Sequence, residues 1–477
     1  MCAEIVKELL AFGADPYYLP PDMWKDYLQS PNLNQKNKAD GGPPSAWWCT
    51  EHSFRERLAE TLHLTHRYSL HRASKLSRTG TREIQIAKAH NMSDILKIPY
   101  FIIGQVQAAQ LVKRKLMSHV AFQTKTPFTM AFCGPSGHGK TELAKQLGAL
   151  LSIEATIVDC GQMKHDWDMF GARNGFIDSE KGSQVNNFLA EHDGQRCLVF
   201  LDEFDKCTQE IRNSLLLLLD EGAYWDRRRN IKIDASRAIF ILCTNLGDKA
   251  IEAFYEQHMA NKKKESRDDV PIGTLQAELR SVYTAKFGAP FTGRINLIAP
   301  FLPLTPNEQA IVAHKFMLQL SDNVRQPINL AAKRLIGHCQ LAMRNDGKIS
   351  MEIAKSAYHA ETGARSLYHA VNNTIRDLLF EEYCNDETPI SGKINEGGLQ
   401  RFVMQLVPIA GKKGLHEVNV VRDGFTVVPK KEVEKGQVVV SGVSAGGWQV
   451  VNSLPTADGF GGPASGFGVS FNGFGPS

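Results

Sequence analysis

Gly134-Pro-Ser-Gly-His-Gly139-Lys140-Thr141 is a G-x-x-x-x-G-K-[ST] run, and its residue types suit the binding of a polyphosphate. Gly134, Gly137 and Gly139 let backbone N–H groups turn inward around phosphate oxygens, with Pro135, Ser136 and His138 between them. Lys140 would reach the β- and γ-phosphates, and the Thr141 hydroxyl would ligate Mg²⁺. ATP and Mg²⁺ are therefore the expected cofactors. The apolar run Met130–Cys133 before the loop, and the helical Glu142-Leu-Ala-Lys-Gln-Leu after it, supply the strand–loop–helix context that the motif needs. About 60 residues on, Cys197-Leu-Val-Phe-Leu-Asp202-Glu203 reads as a buried strand ending in two carboxylates. Asp202 is placed to hold the Mg²⁺ shell, and Glu203 can polarise an attacking water. An acidic pair after a strand is weak alone, but behind a phosphate loop it points to nucleotide hydrolysis.

Strand-like apolar runs must carry these loops. Phe128–Cys133, Ala155–Val158, Cys197–Leu201 and Ala238–Cys243 alternate with helical patterns between Phe101 and Pro300. That alternation predicts an α/β fold, a parallel sheet with helices on both faces. From Thr305 to about Tyr383 the pattern turns helical, opened by Thr305-Pro306-Asn307-Glu308, a capping arrangement with proline in the first turn. Strand-like pieces follow at Phe402–Val407 and Phe425–Val428, and the Gly/Phe-rich end from Asp458 is expected to stay disordered.

Upstream, Cys2–Pro16 reads as a short amphipathic helix with Ile5, Val6, Leu9 and Leu10 as its apolar stripe and Gly13 as its stop. It resembles the second helix and exit turn of an ankyrin repeat, with a plain capping helix as the alternative. Residues 17–50 are rich in Pro, Asn and Gly and read as linker. From Phe54 to Lys88 a helical pattern carries eight Lys/Arg, read as a solvated face rather than a nucleic-acid arm because few aromatics interleave.

Composition sets the outer bounds. The 477 residues give a prior of roughly three domains and are enough to bury a core without staples. Hydrophobic residues at 43% and charged residues at 22% exclude wholesale disorder and collagen-like scaffolds. A formal charge of +4 does not demand nucleic acid or an anionic membrane. No apolar run is long enough to span a bilayer. The nine cysteines form no Cys-x-x-Cys pair, which suggests a reducing compartment.

Ile103-Gly104-Gln105, the phosphate loop, Leu201-Asp-Glu-Phe-Asp-Lys206 and Thr244-Asn-Leu-Gly247 stand in the order and spacing of Clp-type AAA+ unfoldases. The sequence resembles most closely the second ATPase ring of ClpB disaggregases, and the ankyrin-like start resembles the single-ring, ankyrin-bearing ClpB-like branch. The resemblance covers roughly residues 96–430 and implies further roles. Ile103 would contact the nucleotide. Asn245 resembles sensor 1, orienting the hydrolytic water. Arg294, in Phe291-Thr-Gly-Arg294-Ile, resembles an arginine finger offered to a neighbouring subunit's nucleotide. Arg365, in Gly363-Ala-Arg365-Ser-Leu, resembles sensor 2, touching the γ-phosphate from the helical domain. For Asn245 the bland alternative is a capping residue, and for either arginine a structural salt bridge.

Phe170-Gly-Ala-Arg-Asn-Gly175-Phe176-Ile177-Asp178 matches the substrate pore loop, in which an aromatic grips an extended chain. Here Phe176 replaces the usual Tyr and Asp178 a usual Gly, and packing of Phe176 in the core is the alternative. Pro271-Ile272-Gly273-Thr274 departs from a peptidase-docking Ile-Gly-Leu/Phe loop, so peptidase docking is disfavoured.

By resemblance the organisation is an ankyrin-repeat remnant over 1–20, a linker and basic helical segment over 21–95, and an AAA+ large domain over 96–303. A small helical Clp-type domain over 304–430 and a tail over 431–477, disordered from about 455, complete it. The expectation is a protein unfoldase or disaggregase that hydrolyses ATP in a homo-oligomeric ring, a hexamer by resemblance, and threads unfolded or aggregated polypeptide. The ankyrin region would recruit protein partners, and no membrane is involved. A nucleotide-gated interaction switch and a nucleic-acid motor are the rivals, the latter disfavoured by the near-neutral charge. The expected location is cytoplasmic. A start inside a longer chain leaves a mitochondrial one open, since the animal relatives of the branch are mitochondrial.

Overall fold

The computed structural model describes residues 2–31, 33, 49, 51–122, 124–172, 180–260, 270–386, 398–409 and 416–427. Five parallel strands form the central sheet: β1 (Phe128–Cys133), β2 (Ala155–Asp159), β3 (Leu198–Asp202), β6 (Ile239–Thr244) and β7 (Leu297–Pro300), in the order β2-β3-β6-β1-β7. Every residue of β1 and β6 is buried, as a strand covered by helices on both faces requires. Register follows, with Met130 opposite Ile241 on one side and Leu297 on the other. Four of these strands lie where the apolar runs predict them. The hairpin of β4 (Ala223–Asp226) and β5 (Ile231–Asp234), and the edge strand β7, do not stand out from sequence.

The sheet separates two apolar layers. Val199, Leu201, Phe240, Leu242 and Tyr283 belong to one, and Met130, Phe132, Leu147, Phe200 and Ile241 to the other. Alternation along each strand sends neighbours to opposite layers, so β1, β3 and β6 are fixed in height. Their carboxyl ends therefore open at one crevice, where open α/β sheets bind ligands.

The following helix, Pro306–Arg325, starts as the sequence predicts: Thr305 caps the Glu308 N–H, and Glu308 returns a bond to the Thr305 N–H. The helical expectation from Thr305 to Tyr383 needs one correction. Cys339–Met343 is a strand, β8, paired in parallel with β9 (Leu399–Pro408), itself antiparallel to β10 (His416–Val427). Cys339 and Leu341 are buried and alternate with half-buried residues, a period of two too short to show among helical patterns.

The N-terminal reading changes more. Within the stretch read as linker, Met23, Trp24 and Tyr27 are fully buried. The basic helical segment is three helices, His52–Thr61, Leu64–Lys75 and Thr81–Ala89, and three of its arginines are not solvated. Arg55, Arg67 and Arg72 are each less than 5% exposed. Arg55 pairs with Asp22, and Arg72 donates to the Ile102 carbonyl. Arg67 bonds the Asp346 carboxylate at 2.6 Å and the Tyr27 carbonyl at 2.9 Å, tying this segment to the small domain. Burial pushes the Asp346 carboxyl up, but the guanidinium outweighs it and leaves the group below the usual carboxylate range. The first helix, Cys2–Ala11, is present; its expected apolar stripe splits, with Leu10 buried and Ile5 and Leu9 exposed. Among the described residues no helix is long and apolar enough to cross a membrane.

This junction predicts a pH response. His314 is fully buried, and burial, opposed by Asp346, brings its pKa down to about 3; burial and neighbouring His63 bring His66 to about 4. Unfolding releases both to an ordinary value near ~6.5. Below that pH the unfolded chain takes up protons that the native chain refuses, so stability falls as pH drops from about 6.5 toward 4. Thermal unfolding followed across that range should show a falling Tm, and His314→Leu should flatten the fall. Parallel profiles for the two proteins would rule this out.

Candidate active site

The loop after β1 wraps tightly because three of its glycines adopt positive φ. Two positions demand it sterically as well. A Cβ on Gly134 would sit 2.4 Å from the Phe301 carbonyl oxygen, and one on Gly137 only 2.0 Å from that of Thr362. Lys140 opens the helix Lys140–Leu151 and is buried. Its ammonium donates to the Gly134 carbonyl, to Pro135 O at 3.1 Å and to Asn245 Oδ1 at 2.9 Å. Burial lowers its pKa. All three direct partners are neutral, so a charged phosphate oxygen is the better partner.

Asn245 reaches the same ammonium from the end of β6, so two distant motifs meet. Asp202 stands at the end of β3, where its Oδ1 accepts the Glu203 N–H at 3.0 Å. Glu203 itself has φ +52°, a left-handed backbone that a non-glycine residue adopts at a cost. Its Oε2 bonds Lys206 at 2.7 Å. Gly161 makes room for it, because a Cβ there would come within 2.5 Å of that oxygen.

Asp202, Glu203, Asn245, Thr141, the loop residues Ser136 to Lys140, Ile103 and Arg365 all line one cavity of about 660 Å³, the size range of small-molecule sites. Gly134 and Pro135 lie behind it, holding Lys140. At its apolar end Phe101, Ile102, Ile103, Leu304, Val312 and Phe316 could cover a base. Thr141 and Asp202, whose oxygens suit a hard cation such as Mg²⁺, line the cavity with Asp159 and Asp205, although among the described residues no three acidic, histidine or cysteine side chains are grouped closely enough to hold a metal by themselves. Arg365 comes from the small domain, whose Ala364 N–H bonds the Gly137 carbonyl at 2.9 Å.

Sequence reasoning missed several cavity residues. Asp159 ends β2 as Asp202 ends β3, an acid after an apolar run, and that pattern could have found it. Lys315, paired across the cavity with Glu142 at 2.9 Å, has no local signal. Arg294 lies outside this cavity, at the end of the Ala289–Thr292 turn, where it forks onto Asp220 with both contacts at 2.5 Å. Phe176 and Ile177 fall outside the described residues, as does the tail.

Residues 125–298 match the AAA domain (Cdc48 subfamily), and residues 318–395 match the C-terminal, D2-small domain of ClpB protein. The chain is 28% identical over 320 residues to the mitochondrial disaggregase of Rattus norvegicus, covering 61% of this chain and 45% of that protein. It is 26% identical over 254 residues to chaperone protein ClpB of Chlamydia caviae, covering 52% and 27% respectively. A ClpA homolog protein of Fuscovulum blasticum is 25% identical over 333 residues, covering 68% and 38%. The chain thus spans less than half the length of each of these relatives.

Proposed function

Because this chain is a Clp-type AAA+ ATPase, an AAA domain followed by a ClpB D2-small domain, we propose that it remodels aggregated or unfolded polypeptide by ATP-driven threading. One observation carries the ATPase part of the reading: residues from four strand ends and from the small domain meet around one cavity. Lys140 and the loop amides bind the phosphates. Thr141 and Asp202 hold Mg²⁺, which neutralises phosphate charge when bound. Glu203 takes a proton from the attacking water, Asn245 orients that water, and Arg365 brings the small domain to the γ-phosphate.

Subunits assemble as a ring, a hexamer in this reading, in which Arg294 serves the neighbouring subunit's nucleotide. Its surface position outside its own cavity supports that assignment. Phe176 and Ile177 supply the grip on substrate within the pore. The first helix, read as ankyrin-like, keeps Ile5 and Leu9 exposed, which suits recruitment of protein partners.

Recovery of an aggregated reporter enzyme tests the threading step. Phe176→Ala should keep ATP hydrolysis within about twofold of wild type, since a grip on substrate contributes nothing to the chemical step, yet lose most recovery. Normal recovery by this variant would sink threading. Hydrolysis by wild type without recovery would move a nucleotide-gated interaction switch ahead.

A further inference from the structure

We propose that a hydrogen bond from Tyr358 to His138 latches the small domain onto the phosphate loop, making Tyr358 a positioning residue for nucleotide. His138 is 3% exposed, within the phosphate loop between Gly137 and Gly139. Its Nδ1 lies 2.8 Å from the Ser136 carbonyl, which can only accept, so Nδ1 carries the proton. Nε2 is then a bare acceptor, and the Tyr358 hydroxyl stands 3.2 Å from it. Burial holds the imidazole's pKa below its ordinary value, so the ring is neutral. Burial likewise raises Tyr358 to about 12, keeping its hydroxyl a donor. Both partners are in the states the bond needs.

Tyr358 caps the helix Asp346–Ala357 and leads into the turn closed between His359 and Gly363. That turn delivers Arg365. It also places the Thr362 carbonyl against Gly137 and joins the Ala364 N–H to the Gly137 carbonyl at 2.9 Å. Consecutive loop residues therefore hold the small domain twice, Gly137 through backbone and His138 through its ring. The far side of His138 is fixed too, since Gln105 donates to its carbonyl at 3.3 Å and to Leu302 O at 2.8 Å. At this position between the two glycines an imidazole supplies an acceptor that a tyrosine on the other domain can use.

The consequence for the reaction is one of population. The cavity draws walls from both domains, with Arg365, Lys315 and Val312 on the small-domain side. Only the closed arrangement offers nucleotide both walls, and apparent affinity falls with the closed fraction. One lost net hydrogen bond limits the effect to about fivefold. Tyr358 itself does not line the cavity, so the chemical step should be spared.

The test is ATP hydrolysis by the full chain as wild type, Tyr358→Phe, His138→Val and the double variant, with the affinity for a fluorescent ADP analogue measured alongside. Tyr358→Phe should raise KM and the ADP Kd by about three- to fivefold with kcat within about twofold. The double variant should bind no more weakly than His138→Val alone, because both changes remove the same bond. Should His138→Val disturb folding, Tyr358→Phe, which deletes one oxygen, still decides the matter. An unchanged KM and Kd in Tyr358→Phe, or effects that multiply in the double variant, overturns the latch. The proposal rests on the ATPase site and not on threading, and the ADP measurement reports on it even if no polypeptide is remodelled.

Discussion

Glu203→Gln is expected to stop ATP turnover while leaving ATP bound. The amide keeps the size of the side chain and its place after β3 but cannot take a proton, and a positioned general base is worth about 10²- to 10⁴-fold. Affinity should survive because the phosphates are held by the loop amides and Lys140, none of which touches Glu203. The left-handed backbone at Glu203 aims its carboxylate into the crevice, and Gly161 leaves space for it. Its pairing with Lys206 does not hold the carboxylate back: both side chains are about half exposed, and water and salt screen such pairs. Single-turnover hydrolysis with pre-bound ATP reads the chemical step directly. A loss below about tenfold would move the base to another cavity carboxylate, Asp159 or Asp205.

Arg294→Ala should produce a loss of similar or larger size, by a different route. A guanidinium finger is worth about 10³- to 10⁵-fold, and here it is expected to act on the next subunit. Its present partner is no obstacle. Asp220 and Arg294 form a pair open to water, so screening keeps the cost of releasing the fork small beside the finger's contribution. The trans arrangement has a distinctive signature in mixtures. An Arg294→Ala subunit retains its own Glu203, and a Glu203→Gln subunit retains its own Arg294. Neighbours of the two kinds would assemble complete sites, so the mixture should hydrolyse ATP faster than either variant alone. If mixing restores nothing while co-assembly is verified, Arg294 is a structural residue bound to Asp220.

Much of this site was legible in the amino-acid sequence, because its chemistry is built from contiguous residues. The phosphate loop is eight residues long, and its glycines, lysine and threonine lie between a strand and a helix that announce themselves by apolar period. Asp202-Glu203 follows its strand directly, and the Thr305–Glu308 cap is complete within four residues. Local order carried these readings, since backbone geometry alone converts adjacent positions into adjacent donors.

Where the reading departed from the molecule, the missing information was a partner far along the chain. Arg67 and Asp346 are 279 positions apart, Tyr358 and His138 220, and Lys315 and Glu142 173. Charge type alone says that arginines belong in water. Arg55, Arg67 and Arg72 are buried against carboxylates and carbonyls from elsewhere that each accept at least one of their N–H groups, which no window of local sequence contains. The same holds for residues 17–50, whose Pro, Asn and Gly content spoke for a linker while Trp24 and Tyr27 found pockets made by later helices. The residue types and local periods thus established a nucleotide-hydrolysing α/β domain with its phosphate loop and acidic pair. The docking of the N-terminal helices, the strand within the small domain and the closure of that domain over the loop came from long-range packing, because burial free energy depends on which surfaces meet.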